Sequence, residues 1–183
     1  LNFKNRDSHF IFGDVATAAI LEPEATCTSD SAFRIIGTKQ MTQYSDNIRS
    51  DASYADYCFD DLPEGRPFFQ QQGRKVFKEL LPLIVTFISE QLEESGLQAE
   101  ELKRMWLHQA NINMNNFAAK KLLGRLPTLE EAPVVLDEFA NTASSGSVIA
   151  FHKYKDDFKS GDKGLICSFG AGYSIGSLMV ERV

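Results

Sequence analysis

A chain of 183 residues, 43% hydrophobic and 24% charged, has an ordinary soluble globular composition. It is long enough for one domain with a real core or one large half of a two-domain enzyme. Its net charge of −6 argues against a nucleic-acid binder, which carries a basic excess, and no apolar run approaches the ~20 residues of a membrane span. Cys27, Cys58 and Cys167 are odd in number and lack metal-ligand spacing, so they read as reduced thiols of a cytoplasmic protein with no metal site.

The chain opens Leu-Asn-Phe-Lys, without an initiator Met or a signal-peptide pattern, as expected of a fragment or an excised domain. Residues His9 to Leu21 read as a strand, with Gly13-Asp14 marking a bulge or a close backbone approach. A loop with Pro23 follows, then a strand over Phe33 to Thr42. From Gln43 to Pro67 the chain turns polar and acidic, the composition of a long loop that covers a site. Phe68 to Ser95 carries the strongest helical spacing: Val76, Phe77, Leu80, Leu81, Ile84, Phe87, Ile88 and Leu92. Pro82 should kink or divide that helix, and Gly96 should stop it.

A short turn at Gln98 to Leu102 leads into a strand over Arg104 to His108. A helix over Asn113 to Leu123 ends at Gly124, and Thr128-Leu129-Glu130-Glu131 fits a capping box. Pro133 to Leu136 reads as a short buried strand. Val148, Phe151, Tyr154, Lys155 and Phe158 predict a helix closed by Gly161, and strands over Leu165 to Phe169 and Ser177 to Val183 finish the chain as a hairpin. From residue 33 the order is β-α-β-α-β-α-β-β, an α/β pattern that predicts a mostly parallel sheet with helices on its faces.

Three stretches could carry chemistry. His108 stands where a strand gives way to a helix, within Trp106-Leu107-His108-Gln109-Ala110-Asn111. There it can donate to an oxygen that becomes negative, or serve as a satisfied histidine at the sheet rim. Asn141, ahead of Thr142 and the small residues Ala143 to Gly146, can cap the next helix or donate its amide to the same oxygen. Gly170-Ala171-Gly172 lets backbone N–H groups face a ligand, and also suits any tight hairpin. Arg74, Lys75 and Lys78, and again Lys120, Lys121 and Arg125, make basic helical faces that can be solvated or can receive a phosphate or an acidic carrier.

In order, His-Gln-Ala-Asn after a strand, Asn-Thr about thirty residues on and Phe-Gly-Ala-Gly-Tyr before the last strand resemble the β-ketoacyl-acyl carrier protein synthase III family. Phe12-Gly13-Asp14 is similar to its Phe-Gly-Asp motif. The resemblance implies a thiolase-like fold, a five-layer α/β/α/β/α sandwich of two β-α-β-α-β-α-β-β halves. Residues 33–183 would be the C-terminal half, and 1–32 the last strand and linker of a missing N-terminal half.

It also implies a decarboxylating condensation of acyl-CoA with malonyl-acyl carrier protein. A cysteine of the N-terminal half would take the acyl group, and none of the three cysteines here is assigned that role. His108 and Asn141 would hold the malonyl thioester carbonyl as its enolate forms. Gly170, Ala171 and Gly172 would supply a backbone donor to the second oxyanion. Gln109, Ala110, Asn111, Ile112 and Asn113, with Lys78, Lys120 and Lys121, would meet the carrier. No permanently bound cofactor is implied, since acyl-CoA and the carrier's phosphopantetheine act as substrates, and the full-length enzyme would be a homodimer.

Against the family pattern, Asn113 stands where an arginine is common, and Ala140 and Ala171 replace glycines. A backbone donor at 171 survives that exchange only if φ stays negative. Two alternatives stay open: a thiolase-like enzyme that uses CoA thioesters alone, and a non-catalytic partner half.

Overall fold

The structure is a computed structural model that describes residues 10–50 and 69–183. His9, Cys58, Phe68 and the part of the acidic loop from 51 to 67 lie outside the described residues. The elements are β1 (Phe33–Ser45), β2 (Ile48–Arg49), β3 (Gln70–Gln71), α1 (Gly73–Glu94), β4 (Leu102–Leu107), α2 (Ile112–Leu123), α3 (Leu136–Phe139), α4 (Ser145–Lys153), β5 (Lys163–Gly170) and β6 (Gly172–Arg182).

Four strands form one sheet in the order β1-β6-β5-β4, and β2 and β3 form a separate two-stranded ribbon. The large sheet is mixed rather than mostly parallel. A one-residue turn at Ala171 forces β5 and β6 to run antiparallel, and β1 pairs antiparallel with β6. Only β4 and β5, separated by helical crossovers, run parallel. Alternation along the strands gives the sheet two apolar faces. Met105, Leu107, Leu165, Cys167, Phe169, Ile175 and Met179 pack under α1 and α2, while Trp106 and Val180 pack with Ile149, Ala150 and Phe158 beneath α4. The result is an α/β/α arrangement.

Helix α1 buries Val76, Leu80, Leu81, Ile84, Phe87, Ile88, Gln91 and Leu92. It runs as one element through Pro82, because both Pro82 and Lys78, whose carbonyl the proline deprives of a donor, are on the exposed side. Phe77 is exposed, resting on the Phe117 ring instead of entering the core. Gly96 at φ 65° ends the helix, with Leu97 N bonded to Leu92 O at 2.9 Å and Gly96 N to Glu93 O at 3.0 Å. The capping box at 128–131 forms, with Glu131 Oε2 accepting from Thr128 N at 2.8 Å and Thr128 Oγ1 accepting from Glu131 N at 3.2 Å.

Three expected elements differ. Residues 10–22 form no strand: Phe12 makes an isolated parallel bridge to Asn141, and the apolar side chains beyond it are exposed, Ile20 by 92%. Pro133 to Leu136 is not a strand either, because a side-chain amide satisfies its backbone groups (below) and α3 begins at Leu136. Helix α4 stops at Lys153, so Tyr154 and Phe158 reach the core from the turns that follow.

Candidate active site

His108, Asn141, Gly170 and Ala171 all line one cavity of about 930 Å³. Strand β4 delivers His108 just past its last residue, where the ring is buried (7% exposed) with its centroid 4.7 Å from that of Phe169. Burial pushes the imidazole down to about 4, a backbone contact with Ala143 opposing this in part, so the ring is neutral at physiological pH. A neutral imidazole presents one N–H, which suits hydrogen-bond donation to a developing oxyanion without first losing a proton.

Asn141 is held from both sides. Its N–H donates to Ile11 O at 3.0 Å, and its carbonyl accepts from Gly13 N at 3.0 Å. This is the close backbone approach that Gly13 marks in the sequence: a Cβ there would lie 2.1 Å from Phe139 O. Asn141 Oδ1 accepts from Ala143 N at 3.0 Å, which fixes the amide and leaves its NH₂ as the outward donor. Ala140, where the family pattern has glycine, sits at φ 55° and ψ −156°. Among the described residues only Ala140 and Ala143 are non-glycine positions with positive φ, so Ala171 keeps the backbone that a donor there requires.

The Gln109 to Asn113 segment divides. Gln109 is fully buried: its Nε2 donates to Leu107 O (2.8 Å) and Pro133 O (3.3 Å), and its Oε1 accepts from Val135 N (3.0 Å). It therefore cannot meet a carrier and instead braces the approach to Asn141. Ala110 lines the cavity, and Asn111 caps α2 by accepting from Asn113 N at 2.8 Å. Ile112 and Asn113 are exposed, as are Lys78 on α1 and Lys120 and Lys121 in the last turn of α2. Those two helices pack against each other.

Phe12, Ser144 and Phe169 of the lining fall in stretches singled out in the sequence, and most of the other lining residues escaped motif reading. Phe12, Met41, Ile48, Phe69, Val76, Leu80 and Met114 make an apolar wall, and Thr42, Ser144, Ser168 and Ser174 a hydroxyl-rich one. Val76 and Leu80 fit the helical core pattern, and nothing in their spacing separates a cavity wall from a core. Ser168 Oγ lies 2.6 Å from Ser147 Oγ and ties the end of β5 to α4. Among the described residues no cysteine lines the cavity, and burial pushes the Cys167 thiol up to about 12, which rules it out as a ready nucleophile. No helix among the described residues is long and apolar enough to cross a membrane.

The model of the family described as 3-oxoacyl-[acyl-carrier-protein] synthase III, C-terminal, matches residues 92–182. That segment belongs to this family. The chain is similar to the β-ketodecanoyl-[acyl-carrier-protein] synthase of Pseudomonas aeruginosa, with 49% identity over all of this chain and 52% of that protein. It is 31% identical to the β-ketoacyl-[acyl-carrier-protein] synthase III of Methylococcus capsulatus over 99% of this chain and 54% of that one. The crystal structure of the Aquifex aeolicus synthase III superposes with a TM-score of 0.72 at 24% identity, covering 97% of this chain and 52% of that chain, a likeness that establishes the thiolase-like fold. The chain spans about half the length of the curated relatives it matches. The segment carrying His108 and Asn141 falls inside the matched residues, whereas the Phe12 and Ile48 sides of the cavity lie outside them.

Proposed function

We propose that the complete protein condenses an acyl-CoA with malonyl-acyl carrier protein, giving a β-ketoacyl-acyl carrier protein, CO₂ and free CoA. Residues 33–183 act as its C-terminal half, and residues 1–32 connect them to an N-terminal half. That half bears the cysteine to which the acyl group is transferred. Once the malonyl thioester is bound, its carbonyl oxygen accepts from His108 and from the Asn141 amide. As the C–CO₂ bond breaks, its electron pair passes into the enolate, whose oxygen these two donors stabilise, and the enolate carbon then attacks the acyl thioester. The thiolate of the cysteine leaves. The backbone of the Gly170-Ala171-Gly172 turn serves the oxyanion formed at the acyl carbon. Ile112, Asn113, Lys78, Lys120 and Lys121 receive the acidic carrier.

The single observation that carries this reading is the convergence of a neutral His108, an amide-oriented Asn141 and the glycine turn on one cavity. The name of the Pseudomonas aeruginosa relative specifies a ten-carbon keto product, which a two-carbon extension builds from an eight-carbon primer. We assign that primer class here, with the apolar wall around Ile48, Phe69 and Leu80 in support. The test pairs octanoyl-CoA and acetyl-CoA with malonyl-acyl carrier protein or malonyl-CoA on the full-length protein. Octanoyl-CoA with the carrier-bound extender should turn over fastest. Equal rates with malonyl-CoA would count against carrier specificity, a faster rate with malonyl-CoA would point to a CoA-thioester enzyme, and no condensation with any pair to a non-catalytic partner.

A further inference from the structure

Tyr173 directly follows the glycine turn and is almost wholly buried (1% exposed). Packing alone would be served by phenylalanine, so the hydroxyl needs its own account. It donates to Glu79 Oε2 at 3.0 Å and accepts from Asn47 Nδ2 at 2.9 Å, while Asn47 Nδ2 also donates to Glu79 Oε2 at 2.7 Å. The three side chains come from β6, from α1 and from the residue ahead of β2.

Each of the other two anchors adjoins a residue of the cavity wall without lining it. Asn47 adjoins Ile48, and its carbonyl accepts from Gln72 N at 2.8 Å, which holds the β2–β3 ribbon carrying Ile48 and Gln71. Glu79 lies in α1 between the lining residues Val76 and Leu80. A Cβ on Gly172 (φ 136°) would meet Ser174 Oγ at 2.6 Å, so the residue that joins the turn to Tyr173 has to be glycine.

We infer that Tyr173 is a positioning residue: its hydroxyl, clamped by Glu79 and Asn47, fixes the backbone of the Gly170-Ala171-Gly172 turn against the apolar wall that receives the primer. The inference rests on the condensing reading above. A directional hydrogen-bonded cluster holds a set distance between turn and wall, whereas apolar packing alone lets them slide. The clamp therefore acts on acyl transfer to the cysteine and leaves the His108–Asn141 side alone.

The test uses the full-length protein. Tyr173→Phe should slow acylation by octanoyl-CoA about tenfold in kcat, the scale of one lost hydrogen bond, with KM little changed. Malonyl decarboxylation should stay at the wild-type rate. Glu79→Ala should match Tyr173→Phe, and Glu79→Gln, which keeps an accepting oxygen, should restore acylation. Amide hydrogen exchange across 170–174 should rise in the first two variants and not in the third. Wild-type acylation with unchanged exchange, or an equal loss of both half-reactions, overturns the clamp. If Tyr173→Phe does not fold, Glu79→Ala on the surface of α1 decides by the same readouts. Wild-type protein that performs neither half-reaction overturns the condensing reading, and the exchange data then judge the clamp alone.

Discussion

Replacing Gln109 by alanine separates a structural brace from a carrier contact. The side chain is fully buried and satisfies Leu107 O, Pro133 O and Val135 N. Alanine leaves the Val135 N–H without its acceptor and two carbonyls short of a donor. A buried group left unpaired costs about 1–3 kcal/mol, and carbonyls with a second lone pair sit at the low end of that range. With some loss of packing against α4, where Gly146 admits only a glycine beside the Gln109 side chain, the total is about 3–5 kcal/mol. Urea unfolding should register this as a lower midpoint at unchanged slope. Gln109→Leu, of similar volume but without the amide, should lose nearly as much, which assigns the effect to the hydrogen bonds. A change below about 1 kcal/mol, the range of an ordinary surface substitution, together with weakened carrier binding would refute the brace and restore Gln109 to the carrier surface.

Two further outcomes are expected. His108 has its proton affinity lowered by burial to about 4 from an ordinary 6.5, so both folded and unfolded protein are neutral there above pH 6.5. As pH falls from 6.5 to 4 the unfolded chain binds the proton first, and stability should drop by up to about 3 kcal/mol. Urea midpoints from pH 4 to 8 should show that slope flattened in His108→Gln; an unchanged slope would place the titration elsewhere. Ala140→Gly relieves a backbone at φ 55°, ψ −156° that favours glycine, and should stabilise by about 1 kcal/mol once the flexibility of the unfolded chain is charged against it. A lower urea midpoint would mean that the conformation is not strained.

Much of the sheet and its long helix was legible because local signals agreed. The period of α1 and the glycine after it point to one helix, and the capping box at 128–131 forms as its spacing predicts. Where the reading failed, the deciding partner was remote. Pro133 to Leu136 is as apolar as a buried strand, yet its backbone is satisfied by the Gln109 side chain, a pairing that no local pattern encodes. His9 to Leu21 is apolar enough for a strand, but among its described residues the pairing is limited to an isolated bridge of Phe12 with Asn141. In the site, His108 and Asn141 were readable from residue type and order. The apolar wall was not, since Ile48 comes from a stretch read as an acidic loop, and Val76 and Leu80 look like ordinary core.

The joint action of His108 and Asn141 on the extender is tested most directly by assaying the two half-reactions separately in the full-length protein. In His108→Ala and Asn141→Ala, release of CO₂ from malonyl-acyl carrier protein should fall by about 10²–10³-fold, the usual effect of removing one oxyanion donor. Transfer of the acyl group from acyl-CoA to the protein should persist. Undiminished CO₂ release, or loss of acyl transfer alone, would contradict the assignment.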